Sequence, residues 1–218
     1  MRLFRTMTLI LCAAAGACQG TTPVGNSVDD EKALFKRGWS YVREGESEKA
    51  IADFTQVIAL DPNNYEGYLS RGIAVALSGD NRRALGDFNS AKPLEPCCSY
   101  EAVVWFMLAA RRMHQTFGGA LAVEAQEHGA WPGQILHFLM RVLSEHELLE
   151  SAETDNYSNV PIDRRRCQAN FYIGEMYSID GRLDQARLYL AKARDTCAAY
   201  LHESAAAWAE LERLQGPE

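Results

Sequence analysis

EKALFKRGWSYVREGESEKAIADFTQVIALDPNN, residues 31–64, runs directly into YEGYLSRGIAVALSGDNRRALGDFNSAKPLEPCC, residues 65–98, and the two segments align at an offset of 34. The offset pairs Arg37 with Arg71, Gly38 with Gly72, Gly45 with Gly79, Ala50 with Ala84, Asp53 with Asp87, Phe54 with Phe88, Leu60 with Leu94 and Pro62 with Pro96. Eight identities stand where chance supplies roughly two. Each has a physical reading. Gly38 and Gly72 let one helix approach the next closely, and Ala50 and Ala84 do the same from the other side. Gly45 and Gly79 fall where the turn between two helices needs a left-handed residue, and Pro62 and Pro96 stop the second helix.

A helix-turn-helix unit repeating at 34 residues has the tetratricopeptide length. Counting from Glu31, that repeat's small positions 8, 20 and 27 fall on Gly38, Ala50 and Val57, its aromatic positions 11 and 24 on Tyr41 and Phe54, and its proline 32 on Pro62. The second unit matches through Gly72, Ala84, Phe88, Ala91 and Pro96, with Val75 in place of one aromatic. A third begins at Cys167, four periods after Glu31, where Phe171, Gly174, Tyr177, Gly181 and Ala186 take the same places. Residues 99–166 carry poor consensus but read as helices over 100–115 and 120–128, with Gly118-Gly119 as their turn. Pro132 opens another through Leu143, Ser144 and Glu147 form a capping box for one ending near Glu153, and 154–161 is a loop. Residues 203–214 form an amphipathic helix that covers the exposed face of the last repeat. The expected fold is all-α, a tetratricopeptide α-solenoid of about four to five helix pairs with a C-terminal capping helix.

The 218 residues, 47% hydrophobic and 23% charged, supply enough apolar material for a core and exclude a disordered chain. A net charge of −7 argues against nucleic acid as a partner, since phosphate contact needs a basic face. At the N-terminus, Arg2 and Arg5 precede an apolar run from Met7 to Ala15, which is the pattern of an export signal and too short to span a membrane. Ala15-Gly16-Ala17-Cys18 resembles a bacterial lipobox, which would lipidate Cys18. The same residues fit an ordinary signal-peptidase site, and both readings give the same mature chain. Removing residues 1–17 leaves 20 basic against 29 acidic residues. Residues 18–29 are polar and read as a flexible tether with a reach of roughly 20 Å. The expected organisation is therefore 1–17 signal peptide, 18–29 anchor and tether, 30–98 two clear repeats, 99–166 degenerate helical repeats, 167–200 a further repeat and 201–218 capping helix and tail.

Two good repeats, then Trp131-Pro132-Gly133-Gln134-Ile135-Leu136-His137-Phe138, then Gln168-Ala169-Asn170-Phe171-Tyr172-Ile173-Gly174-Glu175, together resemble the bacterial lipoprotein family NlpI over about residues 31–214. The resemblance implies an outer-membrane lipoprotein facing the periplasm, a homodimer, and an adaptor that brings peptidoglycan hydrolases to one another or to a periplasmic protease. The present chain is shorter at its N-terminus, where those members make dimer contacts. The competing class is a secreted or periplasmic structural or assembly subunit with no cell-wall role.

No Gly-x-Ser-x-Gly elbow, P-loop or Gly-x-Gly-x-x-Gly occurs, and His146-Glu147 lacks the second histidine of a zinc motif, so no enzyme, metal or cofactor is expected. Arg164-Arg165-Arg166 reads as a solvated run at a helix start. Binding of proteins or peptides is the natural role of such a solenoid. Repeat positions 2, 5, 9, 12 and 13 line its concave face. They give Lys32, Phe35, Trp39, Val42 and Arg43, then Glu66, Leu69, Ile73, Ala76 and Leu77, then Gln168, Phe171, Glu175, Ser178 and Ile179. Phe35 and Trp39 stand where carboxylate-clamp repeats carry Lys and Asn, which disfavours capture of a chain terminus. The alternative is that Phe35, Trp39 and Ile73 pack against neighbouring repeats. In an exported protein Cys167 and Cys197 sit at adjacent ends of a helical hairpin and can bridge. Cys97-Cys98 has three open outcomes: a vicinal pair, a bond to another chain, or free thiols.

Overall fold

The structure is a computed structural model that describes residues 27–94, 100–115, 130–199 and 201–216. The signal segment, Cys18, most of the tether, Pro96, the Cys97-Cys98 pair and the helix expected over 120–128 lie outside those residues. Among the described residues there are ten α-helices and no strand. Helices α1 (Ser27–Arg43) and α2 (Ser47–Leu60) make the first hairpin, and α3 (Tyr65–Leu77) and α4 (Asn81–Ala91) the second. Helix α5 (Tyr100–Arg112) packs on α4. After it come α6 (Gly133–Leu139) and α7 (Glu145–Thr154). Helices α8 (Ile162–Ile179) and α9 (Leu183–Thr196) form a third long hairpin, and α10 (His202–Gln215) ends the fold. The architecture is a tetratricopeptide-type helical solenoid.

The repeated residues do what their spacing implies. A Cβ on Gly72 would stand 2.5 Å from the Phe88 ring, and one on Gly38 would stand 2.7 Å from the Phe54 ring, so hydrogen at these positions lets each hairpin close. Gly45 and Gly181 adopt φ +72° and +73° and end their helices through paired backbone bonds, Glu46 N–H to Tyr41 O and Arg182 N–H to Tyr177 O. The shared Arg and Asp positions form one ion pair twice. Arg37 donates through Nε and Nη2 to Asp53 at 2.7 Å each, and Arg71 donates to Asp87 at 3.0 and 2.6 Å. The core beneath is aromatic at its centre, where Trp105 packs 5.4 Å from Phe171 and Phe171 meets Tyr172 edge-on at 5.1 Å.

Four boundaries differ from expectation, the first being α1, which begins at Ser27, inside the stretch 18–29 read as a tether. Helix α5 ends at Arg112 rather than Gln115, and α6 at Leu139 rather than Leu143. Both stop in the same backbone motif as Gly45 but place a non-glycine in the left-handed position, His114 at φ 55° and Arg141 at φ 62°. Helix α8 begins at Ile162, five residues before the repeat boundary at Cys167. That extension corrects the reading of the basic run. Arg165 is buried and donates to the carbonyls of Ala152 at 2.8 Å and Val160 at 2.9 Å, tying α8 to α7 and to the loop before α8. Arg166 makes a bidentate pair with Glu153 at 2.6 Å. The capping box forms as expected, with the Ser144 N–H donating to Glu147 at 2.7 Å and the Glu147 N–H to Ser144 Oγ at 3.3 Å.

Candidate functional site: the concave face and its occupant

The first helices of the hairpins, α1, α3 and α8, share the concave face with α5. The sequence leads one to expect an open groove there, and the structure places α10 in it. Helix α10 packs on α9, as a capping helix should, and also on α1, α3 and α8. Its buried residues cover most of its circumference: Glu203, Ser204, Ala205, Ala206, Ala207, Glu210, Leu211 and Leu214. Three adjacent alanines let it sit deep between the walls, but a methyl contributes only about 0.8 kcal/mol on burial. Its register is therefore fixed by its buried charged groups together with Leu211 and Leu214.

At its N-terminus, His202 stacks on Trp39, with ring centroids 4.6 Å apart and planes within 16°. Its Nδ1 lies 2.7 Å from Glu101 Oε1 at the start of α5, and its Nε2 is 3.6 Å from Glu66 Oε2 at the start of α3. Burial works to lower the imidazole pKa, but the Glu101 carboxylate outweighs it and holds it up at about 9, with Glu66 adding to the effect. The neighbouring Glu203 is fully buried, and burial raises its pKa, with the Glu101 charge adding. It accepts from Gln168 Nε2 at 2.9 Å, and Gln168 in turn accepts from the indole of Trp131 at 2.9 Å.

Eight residues further along α10, Glu210 accepts from Arg112 at 2.6 Å, and the same guanidinium nitrogen donates to Glu175 on α8 at 2.6 Å. Arg112 Nη1 donates to the carbonyl of Ala76 on α3 at 3.0 Å, and Nε donates to Glu175 at 3.2 Å. One side chain thus ties α3, α5, α8 and α10. Arg213 completes the cluster, donating to Glu210 at 2.8 Å and to Ser178 Oγ at 3.1 Å. Burial lifts the Glu175 pKa to about 7, against the pull of Arg112. Burial opposes the charge on Arg112, and Glu175 and Glu210 more than restore it, leaving its pKa raised.

The expected groove residues fall into two groups. Leu69, Ile73, Phe171 and Glu175 are completely buried and present no free surface. The packing alternative, raised for Phe35, Trp39 and Ile73, describes Ile73, which is completely buried. Phe35 and Trp39 are half-buried, each against Phe54, at 6.0 and 5.4 Å. Lys32 and Glu66 are exposed, and Arg43 is half-buried. The structure adds Glu101, Arg112, His202, Glu203 and Glu210, which the repeat consensus did not mark. For Glu203 and Glu210 the sequence signal is an amphipathic last helix bearing acids on its apolar side. Toward its C-terminus α10 is flanked by two open clefts. One of 730 Å³ lies against the α1–α2 turn and is lined by Glu44, Glu46, Leu77, Glu212 and Arg213. The other, of 250 Å³, reaches Arg112, His114 and Ser178.

Cys167 and Cys197 are joined by a disulfide, with Cα atoms 4.9 Å apart, that closes the α8–α9 hairpin just before the chain turns into α10.

Residues 31–64 match the family model of the tetratricopeptide repeat. That segment is the α1–α2 hairpin with the turn that follows it. A solved structure described as "MamA RS-1 ArsTM double mutant" is similar at 19% identity, over 86% of this chain and 97% of that one, with a TM-score of 0.37. Repeats of this kind suit a protein-protein adaptor or scaffold.

Proposed function

We propose that the protein is a non-catalytic adaptor of the bacterial cell envelope, exported by its N-terminal signal, lipidated at Cys18 and held on the periplasmic side, where it gathers partner proteins. The observation that carries the binding role is the seating of an amphipathic helix, α10, on the concave face of the repeats. A face that accepts a helix of the same chain has the shape and polarity to accept one from another. Among the described residues no helix is long and apolar enough to cross a membrane, so the lipid on Cys18 supplies the attachment in this reading. The Cys167–Cys197 disulfide supports an oxidising compartment. The resemblance to NlpI suggests cell-wall hydrolases or an envelope protease as partners, and an outer-membrane location.

The test is an affinity pull-down of the mature chain from envelope extract, read by mass spectrometry, alongside Trp39→Ala. The reading expects hydrolase or protease partners that are lost in the variant while it keeps its helical circular-dichroism signal. Recovery of neither class counts against it. Palmitate incorporation that disappears in Cys18→Ser checks the anchor separately.

A further inference from the structure

We propose that α10 is an exchangeable occupant of the concave face, and that the partner helix replacing it carries a cation at its first turn, small residues over the next turn, and a carboxylate eight residues after the cation. This deepens the adaptor reading and rests on its assignment of the concave face as helix-binding. The pattern is the imprint of α10 itself. His202 sits between Glu66 and Glu101, Ala205, Ala206 and Ala207 are buried on the next turn, and Glu210 meets Arg112. Eight residues of helix span about 12 Å, which sets the separation of the two charged stations. The groove walls offer the complementary order, carboxylates at the N-terminal ends of α3 and α5 and a guanidinium at the C-terminal end of α5.

Three features favour exchange over a permanent plug. Buried ion pairs add little net stability, and the groove side of α10 carries such pairs and alanines, with Leu211 and Leu214 as its larger apolar contacts. Two clefts border the C-terminal half of α10 beside Glu212, Arg213 and Gly216, while Glu210, Leu211 and Leu214 stay buried. The disulfide closes the α8–α9 hairpin at Cys197, five residues before α10 begins, so the helix can leave without opening the hairpin that carries it.

Hydrogen exchange on the full wild-type chain is the first test. Amides of α10 are expected to exchange at least tenfold faster than those of α3 and α8, through local opening. Equal protection across these helices overturns the proposal, since α10 then leaves only on global unfolding. The second test titrates a fluorescein-labelled peptide of residues 198–216 into the full chain and into the full-length His202→Ala/Glu210→Gln variant. Binding at least tenfold tighter to the variant is expected, because the helix held in place competes in the wild type. No binding to a variant that keeps its helical signal overturns the proposal. The same peptide with its own His202→Ala and Glu210→Gln changes is expected to bind at least tenfold more weakly, and equal binding removes the register claim. A variant dimer dissolved by the peptide supports exchange, with a second copy as the donor. If peptide exchange succeeds while the pull-down recovers no partner, the adaptor role fails and the exchange stands.

Discussion

The guanidinium of Arg112 donates to the carboxylate of Glu210, 2.6 Å away and 98 residues later in the chain. The same nitrogen holds Glu175, so one buried cation compensates two buried acids, and the exposed Arg213 shares the load on Glu210. This arrangement joins the last helix to the middle of the solenoid.

Arg112→Met removes the charge while keeping much of the apolar stem. It leaves Glu175 without its ion-pair partner, a loss that costs about 3–5 kcal/mol for a buried pair. For a chain of this size the melting temperature should fall by roughly 10 °C. Adding Glu175→Gln and Glu210→Gln should recover part of that loss, because the uncompensated charges are then gone. Thermal circular dichroism of the single and triple variants measures both. A triple variant less stable than the single would show that the acids stabilise without the arginine.

Gly72→Ala places a methyl 2.5 Å from the ring of Phe88, which is fully buried and cannot swing aside. Overpacking of this kind costs about 1–3 kcal/mol. Phe88→Leu alone should also destabilise by leaving a cavity, yet the double variant should be more stable than the sum of the two predicts. Denaturant midpoints for the four members of the cycle are the measurement, and strict additivity would mean that the glycine serves backbone freedom instead of ring clearance.

Opening the Cys167–Cys197 bridge releases a loop of 30 residues. In the chain-entropy account the lost stabilisation is about 3.7 kcal/mol. The Cys167→Ser/Cys197→Ser pair should therefore melt roughly 10 °C lower. Non-reducing peptide mapping of the wild type should recover the two cysteines in one linked fragment, and a free Cys167 in exported material would remove the bridge.

The hairpins were legible because their reasons are local: a glycine facing a ring, a glycine in a left-handed turn, an alanine at a crossing. The ends of α5 and α6 were not, because His114 and Arg141 occupy left-handed positions where glycine is the usual signal. The occupied groove is not legible, for a different reason. Repeat positions say which residues face inward, and Leu69, Ile73, Phe171 and Glu175 do, but they do not say what lies inside. That depends on pairs such as Glu101 with His202 and Arg112 with Glu210, separated by 101 and 98 residues, for which spacing gives no clue. The Arg37–Asp53 and Arg71–Asp87 pairs are the opposite case, since both partners recur at the repeat offset and could have been read as a contact.

The His202 station makes stability depend on alkaline pH in a definite direction. Its pKa of about 9 in the folded protein exceeds the ordinary histidine value, so the folded state holds the proton more tightly than the unfolded chain. That contribution is complete below about pH 6.5 and declines as pH rises through 9. Glu175 acts in the same sense at lower pH, because a carboxyl raised to about 7 favours folding while protonated and loses that contribution between its unfolded value and 7. The two are separable by variant. His202→Gln should flatten the fall in melting temperature between pH 7 and 10 while leaving the acid limb intact, and Glu175→Gln should flatten the stretch between pH 5 and 7. Because His202 bridges α10 to α1, α3 and α5, the same alkaline titration should speed hydrogen exchange in α10 before it affects α8. A uniform loss of protection across both helices would place the histidine in the global stability of the fold and not in the seating of its last helix.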